Sequence, residues 1–479
     1  MNLKQQAISG VKWNFVQQFS VQIINFGVQV ILARLLMPEM FGLIAMVIVF
    51  ISIGTALMDS GMTSSLIRTK EPDQTDYSTV FVTNLIVSFA VYGVIFLSAP
   101  YIAIFYDQDV LTDIIRLLAL SFVIRAFVAV HVAKLTKEMN FKLQMQLQIP
   151  ATIISGIVGV MMAYMGYGVW SLVCLNLAQA IVFTVQNWVF IPWKPSLIFD
   201  KERFKYHFKF GYKLTLSSLL DTIYNDAYRI VIGKFFSPAQ VGYFHQAETL
   251  RLFPVQQIGA VIGKVSYPFF SNIDGDQNLK LAYKKLLKLL LVVVTPVMLA
   301  LILIAESGFR FLFGEKWLPA VPYFQILAIV SIFRPISAYN LNILKVKGRS
   351  DIFLYLEIAK KVAGSLFIIG GIYFGVMGLV VALSVFSILS YMVDMYFSGR
   401  IIDYKVFEQL HDVFPLLSAG GVAFGLSFWL KDAFDGLISS DFLQSLIFGS
   451  ALVAIFYAVA FFFDKEIFRI IKGLRSNQK

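Results

Sequence analysis

The chain has 479 residues, 58% apolar and only 14% charged, with 40 Lys and Arg against 29 Asp and Glu for a formal charge of +11. A soluble chain would carry roughly 25% charged residues. Here the charges cluster, leaving many apolar runs of about 20 residues, long enough to cross a hydrocarbon core as helices. This excludes a soluble globular fold and gives an all-α integral membrane protein. The cationic excess lies mostly between the runs, so it reads as a topology signal rather than a nucleic-acid surface.

Fourteen transmembrane helices are predicted, beginning near Trp13, Phe41, Ser78, Val110, Gln146, Gly168, Tyr212, Val241, Leu286, Pro319, Ile352, Val376, Val413 and Phe442. The opening MNLKQQAISGVKW lacks a small-residue cleavage site after a short apolar core, so an uncleaved first span is expected. That span, FVQQFSVQIINFGVQVILARLL, is unusually polar. Gln18, Gln22, Asn25 and Gln29 fall at i, i+4, i+7 and i+11, one stripe of a helix. Amides cannot face lipid unsatisfied, so the stripe must line a cavity or hold a neighbouring helix.

Even-numbered connections carry the cations, among them Arg68 and Lys70, then Lys134, Lys137 and Lys142, then Lys280, Lys284, Lys285 and Lys288. Lys345, Lys347 and Arg349 follow, and the tail adds Lys465, Arg469, Lys472, Arg475 and Lys479. Odd-numbered connections are tiny (MGYG, FGVMG) or poorer in cations. The positive-inside rule then puts both termini in the cytoplasm. The longest connection, 192–211, is basic and aromatic and reads as an interfacial elbow. A lone cysteine, Cys174, excludes an intramolecular disulfide.

An internal repeat runs through the chain. ARLLMPEMFGL at 33–43 returns as GKFFSPAQVGY at 233–243, matching Arg34, Pro38 and Gly42 to Lys234, Pro238 and Gly242 at an offset of 200. The same offset puts Asn25 on Asn225 and Gln29 on Arg229. Two parallel-related six-helix lobes follow, because an even helix count preserves orientation. The expected organisation is a first lobe at 1–191, a cytoplasmic linker at 192–211, a second lobe at 212–400, and two extra helices with a basic tail at 401–479. Such lobes suit alternating access. The stripe of the first span, with Asn225 in the seventh, is then expected to line a central cleft.

An ionisable group at the centre of a span costs about 2.5–3.5 kcal/mol on insertion scales, so several such groups imply a use. The cations are Arg125, Arg229, Arg251, Arg334 (before Pro335) and Lys361. Spare positive charge suits an anionic substrate, phosphate above all. The carboxylates Asp221, Asp226, Glu248 and Glu357 are candidates for ion coupling, by proton or sodium. Glu248 has Arg251 three residues on, and Glu357 has Lys360 and Lys361 beside it. Asp59 and Asp394 lie near span ends and read as interfacial. No HExxH, GxSxG, P-loop or zinc spacing occurs, and the four histidines do not cluster. The chain is therefore read as a non-enzyme with no cofactor and no metal, driven by a gradient or by mass action.

AISGVKWNF, ILARLLMPEMFGL, DSGMTSSLIR, VSYPFFSNI, FLFGEKW and LKVKGRSDI resemble polysaccharide exporters of the Wzx flippase type. These belong to the multidrug/oligosaccharidyl-lipid/polysaccharide superfamily, and the likeness is nearest to colanic-acid and teichuronic-acid exporters. The resemblance implies an inner-membrane flippase for undecaprenyl-diphosphate-linked oligosaccharide, serving capsule, exopolysaccharide or O-antigen assembly. It implies a cationic cavity, a role carried onto Arg125, Arg229, Arg251, Arg334 and Lys361. The implied partners are the lipid-linked oligosaccharide, the phospholipid bilayer and the polymerase or glycosyltransferases of the same pathway. Nucleic acid is not among them, and a monomer is expected. The competing readings are a MATE-like exporter of small molecules, whose cavity should be dominated by carboxylates, and a membrane glycan polymerase or ligase, which needs a large outward loop.

Overall fold

A computed structural model describes residues 3–59, 61–434, 437–465 and 467–468. The basic tail beyond, with Arg469, Lys472, Arg475 and Lys479, lies outside the described residues. The chain divides into two compact units, Met1–Gly242 and Tyr243–Lys479.

In the first unit α1 (Leu3–Leu35), α2 (Pro38–Asp59), the short α3 (Met62–Arg68), α4 (Gln74–Tyr106), α5 (Leu111–Lys137), α6 (Phe141–Tyr164), α7 (Trp170–Phe190) and α8 (Lys201–Phe235) follow one another. Helix α9 (Pro238–Ser271) begins here and continues into the second unit. The helix starts are written in short polar residues. Asp73 and Asp76 form a reciprocal capping box at α4, Asn140 accepts from Leu143 N–H at α6, and Asp200 accepts from Arg203 N–H at α8. Helix α1 packs on α6, where Gly156 leaves room for Val28, while α5 is the most buried span of the unit and packs against α2, α4 and α7, and α8 lies against α2, α3 and α4.

The second unit continues with α10 (Asp276–Leu303), α11 (Ala305–Phe313), a 3-10 turn (Glu315–Ala320), α12 (Val321–Ser331), α13 (Arg334–Val346), α14 (Ser350–Ile372), α15 (Gly375–Ile401), α16 (Val406–Ala433) and α17 (Asp441–Phe463). Lys280, Lys284 and Lys288 leave α10 at four-residue spacing and pair with Glu408 (2.6 Å), Asp412 (2.7 Å) and Asp464 (2.8 Å). The last two helices are thereby fastened to the unit by a ladder that becomes more buried rung by rung.

Among the described residues eleven helical segments are long and apolar enough to cross a membrane on their own. The other three long helices are α8, α9 and α14, and together these make the fourteen expected. Three details differ from the sequence reading. Helix α8 starts at Lys201 rather than near Tyr212, because the lysines, Glu202 and Arg203 are good helix formers and Asp200 caps the first turn. Helix α10 starts at Asp276 rather than near Leu286, taking the basic stretch into the helix. The tenth span is broken, since Pro335 has no N–H to give Ser331 and the chain turns at Ile332 and Phe333 between α12 and α13.

Candidate functional site

The three long helices too polar to qualify as spans on hydropathy carry most of the predicted site. Asp221, Asn225, Asp226 and Arg229 lie on α8, Glu248 and Arg251 on α9, and Glu357 and Lys361 on α14. A helix that sacrifices apolar character inside a bilayer has to recover that cost elsewhere.

In the first unit the stripe of α1 stands on an open face. Gln18 and Asn25 are exposed and Gln22 and Gln29 half-exposed, beside an apolar stripe of Phe15, Phe19 and Ile23. On α8, Asp221 and Asn225 are exposed, and the next residue, Asp226, is buried and paired with Arg229. Arg125, in the middle of α5, is exposed and makes no ion pair or hydrogen bond among the described residues.

In the second unit the charges gather into two small networks. Arg251 reaches Glu248 at 3.6 Å, and its Nη1 donates to Ser331 Oγ at 3.1 Å, the last residue of α12. The broken span thus meets α9 at the point where its backbone hydrogen bonding is interrupted. Arg334 opens α13, exposed and with no ion pair or hydrogen bond among the described residues. The second network centres on Lys360, whose ammonium lies 2.6 Å from Glu357 and donates to Asp394 at 3.0 Å. Ser337 of α13 also donates to Asp394. Asp394 is fully buried, so it is not the interfacial residue that its position near the end of a span suggests. Glu357 pairs with Lys360, three residues on, and Lys361 is half-buried beside them.

The predicted cations therefore fall into two kinds. Arg229 and Arg251 are neutralised by carboxylates one turn away, whereas Arg125 and Arg334 present uncompensated guanidinium groups on open helix faces. Lys360, Asp394 and Ser331 were not singled out from the sequence as site residues. The signal for the first two was a base within one apolar run and an acid near the end of the next, 34 residues apart.

Long helices of this kind, with broken and polar members among them, define a multi-pass helical membrane protein. The chain superimposes on the lipid II flippase MurJ in an inward closed conformation with a TM-score of 0.73, at 14% identity, covering 93% of this chain and 98% of that one. The family described as "Polysaccharide biosynthesis protein" matches residues 31–322, more than half of the chain, and the protein belongs to that family. The teichuronic acid biosynthesis protein TuaB of Bacillus subtilis (strain 168) is 25% identical over 449 residues, 89% of this chain and 90% of that protein. The lipopolysaccharide biosynthesis protein WzxC of Escherichia coli (strain K12) is 25% identical over 365 residues, 75% of this chain and 74% of that protein.

Proposed function

We propose that the protein is a flippase that carries a lipid-linked oligosaccharide, joined to its polyprenol through a diphosphate, from the cytoplasmic to the outer leaflet of a bacterial inner membrane. The observation that carries this reading is the pair of exposed, unpaired arginines, Arg125 and Arg334, on membrane-spanning helices of a polysaccharide-biosynthesis family member. A guanidinium grips phosphate oxygens bidentately, and an unpaired one within a span is otherwise a pure cost. Arg229, Arg251 and Lys361, already beside other groups, would tune the potential along the path. Gln18, Gln22, Asn25, Gln29 and Asn225 would offer amides to sugar hydroxyls. Both termini are proposed to lie in the cytoplasm, on the strength of the cation-rich connections. The organisation into lobes at 1–191 and 212–400, with 401–479 as an appendix, is proposed on the strength of the repeat.

Moving a polyanion outward is electrically favourable by about 2.3 kcal/mol per charge for each 100 mV. Resetting still needs a bias, and a carboxylate protonated in one state only can supply it. Asp221 and Asp226 are proposed for this role ahead of Glu248 and Glu357. The Lys360–Asp394 network makes Asp394 a further candidate.

The test is flipping of a defined lipid-linked oligosaccharide in proteoliposomes, with and without an imposed pH or sodium gradient. Arg125→Ala and Arg334→Ala are expected to lower the rate by at least tenfold, the order of one charge-assisted hydrogen bond to phosphate. Unchanged flipping in both variants would remove the electrostatic basis of the proposal.

A further inference from the structure

We propose that residues 197–213 form a binding face for the anionic phospholipid headgroups of the leaflet they lie against. The proposal stands on this segment alone and is independent of the substrate reading.

Lys201, Lys205, Lys209 and Lys213 recur every fourth residue along the first three turns of α8, and all four are exposed. Residues four apart lie on neighbouring positions of one helix face. Lys205 has Glu202 at 2.9 Å, in a pair that is itself open to solvent. Lys201 and Lys209 have no ion pair or hydrogen bond among the described residues. Beside this stripe runs an aromatic one. Phe199, Phe204, Phe208 and Tyr212 pack ring on ring in succession, with centroids 5.6, 5.4 and 5.8 Å apart, the last two pairs stacked. Phe199, Phe208 and Tyr212 remain about half exposed, and Leu197 is 92% exposed. Lysines that snorkel and aromatics with one wet edge are the residue types of a bilayer interface.

This face cannot turn inward, because the reverse side of the same segment is held. His207 is buried between Ser65 Oγ at 2.8 Å and Asp76 Oδ1 at 3.2 Å. Arg203 turns away from the lysines to Asp73 at 3.2 Å and Asp76 at 3.4 Å. Gly211 lies so close to Gly61 that a Cβ on Gly61 would meet its carbonyl oxygen at 2.4 Å. Upstream, Ser196 bonds Ser78 and Trp193 donates to Gln74.

Length places the face at the right depth. Helix α8 has 35 residues. At a rise of 1.5 Å it is about 52 Å long, against a hydrocarbon core of about 30 Å. About fifteen residues therefore stand outside the apolar layer, and the lysine stripe, 201 to 213, fills that length. Unpaired lysines in a headgroup layer select anionic over zwitterionic lipids.

The experiment places a photoreactive benzoylphenylalanine at Phe208 of the full-length protein. The protein is reconstituted in vesicles of phosphatidylcholine and phosphatidylglycerol in equal amounts, and the adducts are weighed by mass spectrometry. The expected result is roughly fivefold enrichment of phosphatidylglycerol adducts, the preference that about one lysine near an anionic surface confers. Enrichment should vanish at high salt and in Lys201→Gln/Lys209→Gln/Lys213→Gln, and persist when the same lysines become Arg. Equal labelling of the two lipids in the otherwise unaltered protein overturns the proposal. So does a protein adduct in place of a lipid adduct when the probe is used in cells. Because the first readout needs only the probe at 208, a variant that fails to fold does not shelter the idea.

Discussion

Gly42 approaches Pro238 so closely that a Cβ on the glycine would meet the Pro238 carbonyl oxygen at 1.8 Å, and Gly242 stands in the same relation to Pro38, at 2.1 Å. These four residues are the ones that the repeat superimposes at an offset of 200. Two copies of one motif thus meet each other through the first turns of α2 and α9, each glycine receiving the other's proline. The contacting atoms are backbone, so no rotamer change can relieve an added methyl group.

Gly42→Ala and Gly242→Ala are therefore expected to destabilise the protein by about 1–3 kcal/mol each, and by similar amounts, because the contact is reciprocal. Gly27→Ala is the control. Nothing lies within 4 Å of a Cβ there, and alanine in an open helix position gains up to about 1 kcal/mol over glycine. Thermal unfolding of the purified protein checks the order. Equal midpoints for Gly27→Ala and Gly242→Ala would contradict the packing argument.

The two kinds of arginine should separate in stability as well as in transport. Arg251 is buried with Glu248 and Ser331 beside it, so Arg251→Ala leaves a carboxylate in a poorly solvated place and should cost about 3–5 kcal/mol. Arg125→Ala and Arg334→Ala remove exposed side chains without such partners and should leave the melting midpoint within about 0.5 kcal/mol of the parent. A large loss of stability in Arg125→Ala would make it a structural residue.

What the sequence disclosed and what it hid follow from the range of the forces involved. The stripe of α1 and the Glu248–Arg251 pair were legible because helix periodicity is local, and the repeat because it is a comparison of the chain with itself. The partner of Asp394 was not legible, since Lys360 lies 34 residues away on another helix and either residue alone looks like an interfacial charge. The lysines of α10 were read as a topology signal, which says nothing of Glu408, Asp412 and Asp464 waiting at the other end of the unit. Residues 201–211 were read as a connection because their composition is polar, yet clamping by α3 and α4 keeps them helical. Helices α8, α9 and α14, where the candidate site is concentrated, are too rich in charge to pass as spans on mean hydropathy, and the apolar runs beginning near Tyr212, Val241 and Ile352 are what disclose them.

His207 gives a pH dependence with a definite sign. It lies on the first turns of α8, before the expected span. Burial is the main cause that holds its imidazole below the ordinary value, with Arg203 acting in the same sense and Asp76 opposing both. Below about pH 6.5 the unfolded chain takes up a proton that the folded protein resists. Stability from this group is therefore complete above about pH 6.5 and declines on acidification until the folded value is passed. The melting midpoint should fall between about pH 7 and pH 5, and His207→Asn, which keeps a donor and an acceptor, should flatten that fall. A profile unchanged in His207→Asn would assign the dependence to other groups.

The lysine ladder of α10 tests how depth converts one chemistry into different energies. Lys280 and Glu408 form a pair with side chains 30% and 47% exposed, whereas Lys288 and Asp464 are 7% and 5% exposed. The outer pair is screened by water and ions and should contribute about 0–1 kcal/mol, so Lys280→Met should hardly move the melting midpoint. The inner pair has lost its hydration. Lys288→Met alone leaves Asp464 buried with an uncompensated charge and should cost about 3–5 kcal/mol. The penalty belongs to the orphaned charge rather than to the lost attraction. The double variant Lys288→Met/Asp464→Leu removes both charges and should recover most of the stability that the single variant loses. Because Asp464 closes α17, the same experiment reports on how the last helix is held. If Lys288→Met frees the end of α17, protease sensitivity after Phe463 should rise in the single variant and return to the parent level in the double. A double variant as unstable as the single one would show that the ladder is required as a charged pair and that depth alone does not set its energy.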